Sequence, residues 1–135
     1  MAKGEERMKH LKILHLEDNA MKQTAIARVL HEACEAEIDW VTDVASGMKK
    51  MEEAKVQGDM YDLAITDMQY PLKKDAEIDE EAGEVFIGQM KAQNVEIPII
   101  VCSSLRLRIR EAYGCVWYHE RNDWEMELCG MVRNL

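Results

Sequence analysis

Apolar residues gather in five short runs, at 12–16, 38–41, 62–66, 97–102 and 115–118, separated by stretches with helical spacing. Runs of four to six apolar residues have the length of strands buried on both faces. Between the first two, Ile26, Val29, Leu30 and Ala33 recur at i, i+3, i+4, i+7, the stripe of a helix lying on a sheet. Val44, Met48 and Met51 predict a second helix ending near Gly58; Val85, Phe86 and Met90 predict a third. Trp124, Leu128, Met131, Val132 and Leu135 predict a last one. Methionine and tryptophan at these spacings read as core. Regular strand–helix alternation predicts an α/β fold with a parallel sheet covered on both faces.

Two segments break the alternation. Leu72–Ala82 (LKKDAEIDEEA) is polar and acidic, a longer connection than two packed elements need. In Ser103–Gly114, Leu105, Leu107 and Ile109 alternate with Arg106, Arg108 and Arg110, a strand period, while Leu105, Ile109 and Ala112 also fit a short helix. The pattern leaves that choice open.

Composition narrows the class. With 135 residues, 47% hydrophobic and 32% charged, the chain suits one soluble domain over 11–135, preceded by a flexible segment over 1–10. A net charge of −9 argues against direct nucleic-acid contact, which needs a basic patch, and favours basic or cationic partners. No apolar stretch is long enough for a membrane span, and the charged N-terminus has no signal core, so the expected compartment is the cytoplasm. Cys34, Cys102, Cys115 and Cys129 form no C-x-x-C pair and read as free thiols.

The chemistry lies at the ends of two strands. Glu17-Asp18 follows the first run and Asp67 follows the third. In a parallel sheet those ends are neighbours, at the rim where open α/β sheets bind ligands. Three carboxylates crowded together need a cation or raised pKa values, and hard oxygen ligands with room for water suit Mg²⁺. Each residue also has an ordinary reading. Asp18 or Asn19 can cap the next helix, Asp67 can serve a turn that Pro71 shapes, and Ser103 can be a loop serine.

Taken in order, these pieces resemble the receiver domain of bacterial two-component response regulators. The resemblance runs from about Lys12 to the end. It rests on Lys12–Asn19 (KILHLEDN), Ala45-Ser46-Gly47, Tyr61–Pro71 (YDLAITDMQYP), Gly83–Phe86, Ile97–Ser104 and Gly114–Tyr118. It implies a flavodoxin-like, doubly wound five-stranded parallel sheet of order 2-1-3-4-5, with the fourth helix short or missing. It also implies roles: Asp67 as phosphoacceptor, Glu17, Asp18 and Asp67 as Mg²⁺ ligands with the Gln69 backbone carbonyl, and Ser103 as hydrogen-bond donor to the phosphoryl group. A sensor histidine kinase or phosphotransfer protein would be the donor, and a downstream protein, or a second copy in a homodimer, the receiver of the signal. Such a protein is a phosphoacceptor with self-catalysed transfer, not a conventional enzyme.

The chain also departs from the family. Where the family has a lysine near the end of its fifth strand, this sequence has Tyr118, followed by His119. A phenol cannot supply an ammonium, although it can donate a hydrogen bond. The switch aromatic is replaced by Cys115. The Asp67–Gly83 interval is longer than usual and the Ser103–Gly114 interval shorter. One of Arg106, Arg108 and Arg110 could replace the lysine, or the three could form a solvated face. These departures support an alternative, a phosphorylation-independent pseudo-receiver that works as a protein-binding module.

Overall fold

The computed structural model describes residues 8–135, so most of the segment expected to be flexible lies outside the described residues. The elements are β1 (His10–Leu16), α1 (Ala20–Ala33), β2 (Glu35–Val41), α2 (Val44–Gln57), β3 (Leu63–Thr66), β4 (Tyr70–Pro71), β5 (Ile78–Asp79), α3 (Ala82–Ala92), β6 (Ile99–Ser103), β7 (Gly114–Trp117) and α4 (Trp124–Arg133).

Five strands form one parallel sheet in the order β2-β1-β3-β6-β7. With the two short strands β4 and β5 set aside, this is the expected 2-1-3-4-5 order. The chain starts in the middle, winds to one edge, then crosses back to the other, and the order reverses at β1 and β3. Register places Leu16 beside Thr66 and Ser103 beside Trp117. The residues after Leu16 and Thr66 therefore emerge together at the carboxyl rim.

Alternation along the strands feeds two cores. Leu14, Leu16, Ala64 and Val101 face α2 and α3, packing with Met51, Phe86 and Met90. Ile13, Leu63, Ile65 and Ile100 lie in the other core with Ile26, Leu30, Leu128 and Val132 of α1 and α4. The helix signals hold. Asn19 caps α1 by accepting from Lys22 N, Asp43 caps α2 by accepting from Ser46 N, and α2 ends at Gly58 with φ 67°. That left-handed cap is the conformation glycine adopts without a Cβ penalty.

Two connections differ from the sequence expectation. The acidic segment is not simply a loop: β4 and β5 pair antiparallel, making a small hairpin, and Ala45 N bonds Leu72 O to hold its base against α2. Its outer residues Lys73, Lys74, Glu77 and Glu80 are exposed, which explains their polarity. The Ser104–Tyr113 connection is neither strand nor helix. The alternating pattern there has another cause: Leu107, Ile109 and Ala112 pack on the α2–α3 core while the arginines point elsewhere.

Candidate functional site

At the carboxyl rim, Glu17 follows β1 and Asp67 follows β3, and Asp67 N bonds Leu16 O at 3.0 Å. Carboxylate oxygens of Glu17, Asp18 and Asp67 all lie within 4.8 Å of one another. Because Asn19 takes the capping role, both preceding acids remain available. Glu17 is buried, with Oε2 accepting from Asn19 N at 3.1 Å and its backbone carbonyl accepting from the indole of Trp40 at 2.6 Å. Its other oxygen, Oε1, is buried and faces the Lys22 ammonium at 3.0 Å.

The loop after β3 is fixed from several sides. Met68 N donates to Asp67 Oδ1 at 2.7 Å. Thr66 Oγ1 bonds the Asp67 carbonyl at 2.7 Å and pairs with the hydroxyl of buried Tyr70, also at 2.7 Å. From α3, Gly83 N donates to Met68 O at 3.0 Å. A Cβ at Gly83 would sit 2.6 Å from the Asp67 carbonyl oxygen, so glycine is required for this approach.

A fourth charged group stands among the acids, and sequence reasoning missed it. The Lys22 ammonium, from the first turn of α1, lies 3.0 Å from Glu17 Oε1 and 3.2 Å from Asp67 Oδ1, and donates to Cys102 O at 2.9 Å. It also sits 5.2 Å from the centre of the Tyr118 ring, which packs against Trp124. Lys22 shares the stripe of Ile26, Val29 and Ala33, and a lysine at the head of an apolar stripe was the available signal. Of the two readings of the arginine row, the structure fits the solvated face, with Arg106, Arg108 and Arg110 all exposed. Arg106 stacks over the Trp117 ring at 5.1 Å, and Arg106 and Arg108 line a separate surface cleft with Cys115. Among the described residues, no arginine of the row forms an ion pair.

Tyr118 contributes its ring face to Lys22. Ser103 is buried at the end of β6, and its Oγ accepts from Leu105 N at 3.0 Å, leaving its hydroxyl hydrogen out of that bond. Gln69 is half-buried, two residues past Asp67 in the same loop. Cys115 Sγ accepts from Ile109 N at 3.3 Å, which ties the switch position to the connection before β7.

Electrostatics follow the crowding. Burial raises the Glu17 carboxyl to about 7; Asp67 adds to the rise, and Lys22 works against it. Asp18 is raised by burial and by Asp67. Burial disfavours charge on Lys22, but Asp67 and Glu17 outweigh it and hold its pKa above the ordinary lysine value. Three clustered carboxylates make a donor set of the kind a hard divalent ion takes.

No protein-family model matches the sequence, and no curated protein does. Solved structures do match. One is the response regulatory domain of MrkE from Klebsiella pneumoniae, 14% identical with a TM-score of 0.70, covering 93% of this chain and 94% of that one. Another is the chemotaxis response regulator CheY4 of Vibrio cholerae, 18% identical with a TM-score of 0.64, covering 92% and 99%. The chain has the receiver-domain fold. A third structure with this receiver fold is a response regulator in its Mn²⁺-bound form, 17% identical with a TM-score of 0.64, covering 92% and 90%. The receiver fold places the carboxyl ends of β1 and β3 side by side, which is where this chain carries its acids.

Proposed function

We propose that this chain acts as a receiver in two-component phosphorelay signalling, accepting a phosphoryl group on Asp67. The observation that carries this reading is the convergence of Glu17, Asp18 and Asp67 at the switch point of a receiver fold. An Asp67 carboxylate oxygen attacks the phosphorus of a phosphohistidine on a sensor kinase or phosphotransfer protein. The new O–P bond forms as the P–N bond breaks, and the leaving imidazole nitrogen keeps the electron pair. Mg²⁺, held by Glu17, Asp18, Asp67 and the Gln69 carbonyl, would neutralise charge on the transferring oxygens. The Ser103 hydroxyl hydrogen donates to a phosphoryl oxygen. Transfer of this kind is self-catalysed, so the protein is a phosphoacceptor and not a conventional enzyme. A relay fed by such a kinase belongs in the cytoplasm, where the four thiols stay reduced.

The signal leaves through altered contact with a downstream protein or a second copy. In this chain that surface is the irregular Ser104–Tyr113 connection, with Leu105 and Tyr113 exposed. A second reading, a phosphorylation-independent binding module, draws support from Cys115 at the switch position and from the irregular backbone between β6 and β7.

Incubation with a small acyl phosphate and Mg²⁺, followed by intact-mass measurement, separates the two. We expect a gain of one phosphoryl group that disappears in Asp67→Ala. Full donor occupancy with no gain, while Mg²⁺ still binds, selects the binding module.

A further inference from the structure

We infer that the Lys22 ammonium, delivered from α1, is the phosphoryl-binding cation of this site, in place of the strand-end lysine whose position Tyr118 occupies. This rests on the proposed phosphoacceptor role of Asp67. Lys22 is the third residue after the Asn19 cap, and helical side chains lean toward the helix N-terminus. That lean carries Nζ over the carboxyl rim of the sheet. There it meets Glu17 after β1, Asp67 after β3, the Cys102 carbonyl on β6 and the Tyr118 ring after β7. The charge therefore stands beside Asp67 on the β6–β7 side, where a lysine at position 118 would send its own.

The contacts also show which donors a phosphoryl group would recruit. An ammonium has three N–H groups. They face three acceptors, Cys102 O at 2.9 Å, Glu17 Oε1 at 3.0 Å and Asp67 Oδ1 at 3.2 Å. The two that meet carboxylates would turn to a phosphoryl oxygen on Asp67 once a divalent ion takes those carboxylates. The Tyr118 ring, backed by Trp124, provides a face for the cation and fills the volume that a second lysine would need. A bulky aromatic at 118 and a buried lysine at 22 are two halves of one arrangement.

Beryllofluoride, an unreactive phosphoryl mimic, tests this by calorimetric titration in the presence of Mg²⁺. Lys22→Met should bind Mg²⁺ at least as tightly as the wild type, because a neighbouring positive charge is gone. It should bind beryllofluoride roughly tenfold or more weakly, the loss expected for one charge-assisted hydrogen bond. Lys22→Gln, which keeps a donor for the Cys102 carbonyl, carries the same expectation and keeps the test standing if the methionine variant misfolds. Adding Tyr118→Lys to either variant should recover most of the loss. Beryllofluoride affinity unchanged or improved in both Lys22 variants, but abolished by Asp67→Ala, would make Lys22 a tethered counter-ion and overturn the inference while the phosphoacceptor reading stands. A wild-type chain that binds Mg²⁺ but no beryllofluoride overturns both.

Discussion

Two buried basic residues, Lys22 on α1 and His15 on β1, meet burial in opposite ways. Lys22 keeps its charge because Asp67 and Glu17 surround it. His15, on β1, has no such partner: both ring nitrogens are buried without a hydrogen bond, and burial, helped by the Lys22 charge, pushes its pKa down to about 3. His15 is therefore neutral in the fold but takes up a proton near its ordinary value of 6.5 when unfolded. The sign is definite. The unfolded chain binds more protons below that value, so stability is lost as pH falls from 6.5 toward 3. His15→Phe removes this liability, and at pH 5 it should gain about 2 kcal/mol over wild type beyond any difference at pH 8. Urea unfolding at the two pH values checks this; equal differences would mean that His15 is solvated or paired. Residue chemistry was only partly legible in the sequence. Glu17, Asp18 and Asp67 announced themselves by following apolar runs. Lys22 did not, because a lysine on a helix is normally solvated, and only the fold shows that this one points at a crowd of acids.

At the scale of elements, the long Asp67–Gly83 interval is the clearest lesson. Its composition reads as loop, and two strands of two residues each carry too little periodicity to be seen. Yet the hairpin returns the chain so that Gly83, in the first turn of α3, lies against the Asp67 carbonyl. Leu72, anchored to Ala45 N, and buried Tyr70 hold its base, while its tip is free of the site's hydrogen bonds. Gly83→Ala puts a methyl group 2.6 Å from backbone that cannot swing aside, and overpacking of this kind costs about 1–3 kcal/mol. We expect a lower Tm and weaker Mg²⁺ binding together, because the displaced loop is the one that carries Asp67. A lower Tm with Mg²⁺ affinity unchanged would separate the glycine from the site. In the Ser104–Tyr113 connection the pattern was ambiguous because neither period governs it. Three apolar side chains reach the core from irregular backbone, and Arg106 lies on Trp117 instead of turning to the rim.

For the whole molecule, strand order was legible because every link in it is a local rule. Buried apolar runs make strands, intervening amphipathic helices force parallel connections, and right-handed crossovers limit the order. The same logic brings the acids together, since parallel strands must end on the same rim. A net charge of −9 adds a field that draws cations toward this surface. Among the described residues, no helix is long and apolar enough to cross a membrane. On the proposed reading, Glu17, Asp18 and Asp67 form one divalent-ion site at the rim, with Asp67 open to phosphorylation. A crystal grown with Mn²⁺ and beryllofluoride tests it most directly, because the metal is located by its anomalous signal. The expected result is one Mn²⁺ peak among the Glu17, Asp18 and Asp67 carboxylates, with beryllofluoride on Asp67. Mn²⁺ bound elsewhere, or a rim still closed by its own side chains with Asp67 unmodified at saturating ligand, would contradict it.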